Sequence, residues 1–190
     1  MTAQEGGPAG EDTDALALAR SGALAKQWSL VPAESRVEFA NRHFWNTITV
    51  RGRFGQISGD GTVAPGGTVT GQLVIDAASL TTGNKQRDKH LRSADFFDVA
   101  EHPRVVLSVQ HATVSEGGTL NAEGTLEAAG VTEPVSFTAD IVAASSDRVT
   151  LRAQFTIDRS RFGMTWSPLR ISSLQATGSV TATFTPSSAG

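Results

Sequence analysis

The chain contains no cysteine. That excludes disulfides, thiolate-held metals and a cysteine nucleophile. It has no excess of basic charge: 16 Lys and Arg against 19 Asp and Glu give a formal net charge of −3. No broad basic surface argues for nucleic acid, and cations concentrate only at Arg51 with Arg53 and along Lys85–Arg92. No apolar run is long enough to cross a bilayer as a helix. The first residues are acidic rather than basic, and the apolar run Ala15–Ala19 is too short for the core of a signal peptide. The expected location is therefore cytoplasmic. At 190 residues the chain suits one well-buried core rather than two.

What is present is a clean period of two. Leu120, Ala122, Gly124, Leu126 and Ala128 alternate with polar residues, as do Val135, Phe137, Ala139, Ile141 and Ala143. Val149, Leu151, Ala153, Phe155 and Ile157 repeat the pattern, and so do Leu174, Ala176, Gly178, Val180, Ala182 and Phe184. This is the signature of antiparallel strands with one wet face. Earlier strands are expected at 35–43, 47–60, 68–76 and 104–115, with turns at Pro65-Gly66-Gly67, Glu116-Gly117-Gly118 and Ala129-Gly130. Eight strands joined mostly by short loops predict an all-β fold, an up-and-down antiparallel barrel; a sandwich has the same pattern. Residues 1–11 read as a disordered tail, and 12–26 carry a helical face of Leu16, Ala19, Ala23 and Leu24 interrupted by Gly22. The barrel domain is expected over 28–186, after an extension at 1–27 and before a short tail at 187–190.

Many inward positions are small: Ala122, Gly124, Ala128, Ala139, Ala143, Ala153, Ala176, Gly178 and Ala182. Strands normally fill space with bulky residues, so this stripe predicts a hollow, apolar interior suited to a greasy guest. Small residues also permit close sheet packing.

One segment breaks the strand pattern. Residues 81–103, TTGNKQRDKHLRSADFFDVAEHP, are dense in charge and aromatics. Asn84 or Thr82 can cap a short helix within an 84–98 insert. Arg87, His90 and Leu91 then share one face, and Asp88 with Arg92 can pair on the outer face. The insert is either a cap on the barrel end or a reader of a ligand's polar head through Arg87 or His90. Two aromatic groups near strand ends, Phe44 with Trp45 and Phe162, Met164 and Trp166, are either rim packing or a greasy portal. His90, His102 and His111 lack a metal-ligand spacing, no nucleophile elbow is present, and Asp88, Asp95 and Asp98 read as solvated charge.

Several stretches together resemble the YceI-like family of lipocalin-like barrels. They are Ser35-Arg36-Val37-Glu38-Phe39, Val50-Arg51-Gly52-Arg53-Phe54, Ala78-Ser79-Leu80-Thr81-Thr82-Gly83, and Arg87-Asp88-Lys89-His90-Leu91-Arg92-Ser93-Ala94-Asp95-Phe96-Phe97-Asp98 with His102-Pro103. Gly130-Val131-Thr132-Glu133-Pro134-Val135 and Asp158-Arg159-Ser160-Arg161-Phe162-Gly163-Met164 complete the set. The resemblance implies an eight-stranded barrel that binds polyisoprenoid or related lipid, acts as a carrier rather than an enzyme, and forms a homodimer. The bound molecule would be an isoprenoid, an isoprenoid quinone or a fatty-acid-like lipid, with no other cofactor. The expected lining is one continuous cavity of Phe39, Phe54, Leu73, Ile75, Leu107, Leu126, Phe137, Phe155 and Ala176. Arg87, His90, Leu91, Phe96 and Phe97 join it from the insert, and Phe44, Trp45, Phe162, Met164 and Trp166 from the portal. The rival readings are an enzyme working on a lipophilic intermediate in the same cavity and a ligand-free interaction module.

Overall fold

A computed structural model describes residues 15–43, 48–167 and 172–187. Among these residues are eleven strand segments: β1 (Gln27–Leu30), β2 (Arg36–His43), β3 (Ile48–Phe54), β4 (Ile57–Val63), β5 (Val69–Asp76), β6 (Leu80–Thr81), β7 (Arg104–Val114), β8 (Thr119–Ala128), β9 (Val131–Ala144), β10 (Val149–Asp158) and β11 (Ser172–Pro186). They build eight barrel staves. β1 and β2 are two halves of one stave, because both pair with β11. β3 and β4 are halves of the next: β3 pairs with β2, and β4 with β1 and β5. The expected single strand 47–60 is thus broken. At the break, the Ser79 hydroxyl accepts from the Gly55 and Gln56 amides, which satisfies backbone donors the ladder has released. The stave order follows the chain, every pairing is antiparallel, and the ring closes through β1–β11 and β2–β11.

The expected strand at 135–143 begins earlier, at Val131, so Pro134 lies inside it. Pro134 pairs only toward β8, opposite Thr125. The β9–β10 ladder is confined to Ala139–Ala144 against Val149–Ala153. Below it the two strands part, and a proline without an N–H costs nothing on an unpaired edge. Arg161 and Glu133 form an ion pair across this parted seam. Bulges also correct two inward assignments. Ala143 is exposed beside the irregularity at Thr150/Leu151, and Leu174 is 40% exposed within the one between Ser172 and Ala176. An extra residue flips every side chain beyond it.

Ala129 and Gly130 link β8 to β9 with positive φ at both residues, 48° and 76°, the two-residue turn whose twist suits a hairpin. The helical character at 12–26 resolves to α1 (Ala15–Arg20), ending before Gly22 at φ 76°. Ala19, Leu24 and Trp28 form a small core there, and the Trp28 indole donates to the Leu24 carbonyl at 3.0 Å. The 84–98 insert is helical only over α2 (Lys85–Leu91), and bonded turns follow.

Candidate functional site

The interior is not one tunnel. Ala112, Leu120, Ala122, Ala139 and Ala153 pack with Phe137 and Leu151 into a buried cluster on the neighbouring strands β7 to β10. The small residues there pack beside one another on adjacent strands and belong to a buried cluster rather than to the wall of the larger cavity. Of the nine small positions singled out above, only Ala128, Ala176 and Gly178 line that large apolar cavity. This cavity, about 630 Å³, lies under α2 at one end. A smaller one of about 150 Å³ lies beside Ala15, Leu24 and Trp28.

The larger cavity is walled by Phe39, Phe54, Ile75, Leu126, Phe155 and Ala176 from the barrel. Arg87, His90, Leu91, Phe96 and Phe97 reach it from the insert, and Phe162, Met164 and Trp166 from the segment after β10. Leu73 lines the smaller cavity instead. Leu107 and Phe137 line neither; they pack against the two core clusters. Phe44 and Trp45 lie outside the described residues. The expected lining leaves out Val37, Val50, Val105, Ile157, Asn41 and Arg159, which also form the wall. The valines and Ile157 carry the same inward parity as the residues expected there. Arg159 has no periodic signal, and only its place in the Asp158–Met164 motif marks it.

Two glycines serve the aromatic wall. Phe39 is directly opposite Gly52, and Phe155 opposite Gly178. A Cβ on Gly52 would stand 2.3 Å from the Phe39 ring, and one on Gly178 2.3 Å from Phe155. Each ring lies across a strand that has no side chain there.

α2 is held from below. Asn84 caps it, its side chain accepting from the Arg87 amide. Asp88, expected on the outer face with Arg92, is 5% exposed. Its carboxylate accepts from the Thr82 amide at 2.8 Å, the Thr82 hydroxyl at 2.5 Å and the Thr81 hydroxyl at 3.1 Å. Burial alone would raise its pKa; the Thr82 and Thr81 hydrogen bonds and the nearby Arg92 charge outweigh it and hold the carboxyl below its ordinary range. Arg92 turns to backbone instead, donating to the Ala78 and Leu80 carbonyls at 2.9 and 2.5 Å. The helix therefore points its acid inward, because three donors on the 81–82 strand end await one acceptor.

The polar end of the cavity is built around Phe96. Its ring meets His90 at 5.2 Å and Trp166 at 5.9 Å between centroids, and His90 stacks edge-on to Trp166 at 4.3 Å. His90 Nε2 is 2.9 Å from Asp95 Oδ2. The Arg159 guanidinium sits 5.4 Å from the Phe96 ring centre. It is 7% exposed and donates to the carbonyls of Ser173, Met164 and Trp166. Burial lowers its pKa, an effect the Asp158 charge opposes. Arg87 donates to the Thr82 hydroxyl at 2.7 Å and the Thr82 carbonyl at 3.1 Å. Asn41 donates to the Ser173 carbonyl at 2.9 Å, and its Oδ1 is buried without a hydrogen-bond partner. No cluster of three or more metal-ligating side chains occurs among the described residues.

The YceI-like domain matches residues 28–185. A UPF0312 protein of Vibrio cholerae is 27% identical over 117 residues, which is 60% of this chain and 61% of that protein. Among solved structures, BcnA of Burkholderia cenocepacia superposes with a TM-score of 0.73 at 19% identity, over 81% of this chain and 98% of BcnA. A polyisoprenoid-binding domain from Saccharophagus degradans superposes at 0.69 with 18% identity, over 86% of this chain and 99% of the domain.

Proposed function

Since this chain belongs to the YceI-like family, we propose that it carries or sequesters a long apolar lipid in the cavity beneath α2. The observation that carries this reading is a cavity of about 630 Å³ lined mostly by apolar and aromatic side chains, with Arg87, His90 and Arg159 in its wall. That volume lies within the range of about 300–1,000 Å³ usual for ligand pockets. Binding would come mostly from tail burial, about 0.8 kcal/mol per CH₂ before ordering costs. An isoprenoid, an isoprenoid quinone or a fatty-acid-like chain meets this description, and the polyisoprenoid-binding neighbour supports the class.

A carrier needs no acid–base group; the wall holds one imidazole, His90, hydrogen-bonded to Asp95. Among the described wall residues the only carboxylate is Glu38, which is exposed and alternates outward from Val37 and Phe39. Asp88 is committed to Thr81 and Thr82. A homodimer and a cytoplasmic location belong to the same reading; sedimentation velocity and cell fractionation test them.

The deciding experiment is native mass spectrometry of the purified protein with lipid extraction. The expected result is a bound species of lipid mass that disappears in Ala176→Phe, whose ring would occupy the cavity, while the circular dichroism of that variant stays unchanged. Recovery of equal lipid from both proteins would count against the cavity.

A further inference from the structure

The cavity wall carries two guanidinium groups, Arg87 and Arg159. They flank one aromatic group: Arg159 stacks on Phe96, and Arg87 lies one helical turn before His90, whose ring meets Phe96 and Trp166. Among the described residues no carboxylate oxygen lies within 4 Å of either guanidinium. Their recorded partners are uncharged: the Thr82 hydroxyl and carbonyl for Arg87, three backbone carbonyls for Arg159. Carbonyls satisfy hydrogen bonds but leave the net charge uncompensated.

The nearby acids are engaged elsewhere. Asp95 pairs with His90, Asp158 accepts from the Ser160 amide and hydroxyl, and Asp88 serves Thr81 and Thr82. Asp158 reaches Arg159 only through longer-range attraction. The Asn41 oxygen is a single neutral acceptor sealed from the accessible surface, so it does not offset two cations. α2 adds exposed Lys85 and Lys89, neither in an ion pair among the described residues.

We propose that the larger cavity selects a single-chain amphiphile with a compact anionic head, a carboxylate or a phosphate, over neutral lipids of equal tail length. The inference rests on the lipid-carrier reading above and narrows it. A charged head forms charge-assisted, potentially bidentate bonds to guanidinium. It also neutralises cations that an alcohol, ester or quinone would leave uncompensated.

The test uses the delipidated full chain and displacement of the neutral probe N-phenyl-1-naphthylamine at pH 8 and low salt. Four competitors share one tail: oleate, oleyl phosphate, oleyl alcohol and methyl oleate. Expected is a preference of about tenfold or more for at least one anion over both neutral lipids. The ratio of oleate to oleyl phosphate then identifies the head. Arg87→Gln and Arg159→Gln should each bring the anion-to-alcohol ratio toward unity. If Arg159→Gln does not fold, Arg87→Gln and the wild-type ratio still decide. Neutral lipids that match or exceed both anions on the wild-type chain overturn the head-group proposal while upholding the lipid cavity. If none of the four displaces the probe, the carrier reading falls, and this proposal with it.

Discussion

Gly178 illustrates how much one missing side chain can decide. Its partner across the β10–β11 ladder, Phe155, lays its ring over the bare backbone, where a Cβ would come to 2.3 Å. Gly178→Ala should therefore force the ring off its rotamer into the cavity and cost about 1–3 kcal/mol as overpacking. Pairing it with Phe155→Leu should recover much of that loss, a coupling measurable by urea unfolding of the four-member cycle. Asp88 makes a prediction in pH. Its folded pKa lies below the ordinary 3.8, so the group stabilises the fold above that value and loses this contribution as pH falls through the folded pKa. Asp88→Asn would face hydroxyl and amide donors with a further donor. It should lose about 2 kcal/mol near neutral pH, and the difference from wild type should shrink below pH 3.8. Thermal melts from pH 7 downward check this, and a constant gap would refute the assignment.

At the scale of elements, α2 covers the cavity, and the parted β9–β10 seam lies beside the Phe155 and Ile157 wall. α2 is a seven-residue helix, too short to be stable alone. It persists because Asn84 caps it, Asp88 anchors it and Arg92 ties its end to the carbonyls of Ala78 and Leu80. Arg92→Ala should lose about 2–3 kcal/mol. Amide exchange should quicken over 85–99 before the barrel strands are affected, as hydrogen-exchange mass spectrometry would reveal. The seam is different. Its Arg161–Glu133 pair has side chains 53% and 23% exposed, and exposed pairs contribute about 0–1 kcal/mol. Arg161→Ala should thus hardly change Tm. It should speed probe entry in stopped-flow mixing if lipid passes between the strands; an unchanged entry rate would assign the route to the α2 end.

On the scale of the whole molecule, the barrel is closed differently at its two ends. One end carries the charged insert over the large cavity; the other carries α1, with Ala19 and Leu24 buried beside Trp28. Ala15 and Leu24 border only the smaller cavity. A chain beginning at Gln27 should lose about 2–4 kcal/mol from the apolar area uncovered, yet keep probe uptake in the larger cavity. Denaturant midpoints and displacement titrations on the same preparation separate the two effects. Loss of uptake together with stability would show that the ends are coupled through the packed alanine cluster between them.

The sequence by itself determined the strand periodicity, the antiparallel pattern with one buried face, the turn at Ala129-Gly130 and a capped helix in the insert. Each of these rests on local chemistry: side-chain parity, positive φ at a turn, an Asn before a helix. Closure into a barrel rather than a sandwich is visible only in the β1–β11 and β2–β11 pairings. Residue by residue, parity also placed Phe39, Phe54, Ile75, Leu126, Phe155 and Ala176 on one wall. Only the tertiary structure decided that most of the alanine stripe lies outside the wall of the larger cavity. Parity says that a side chain points inward, not what it meets there. Bulges turned Ala143 and Leu174 outward, because a single inserted residue resets parity without a signature of its own. The inward turn of Asp88 needed the Thr81 and Thr82 donors to be brought beneath α2. The meeting of Arg159 with Phe96 joins parts of the chain more than sixty residues apart in sequence, a proximity that only closure of the barrel creates.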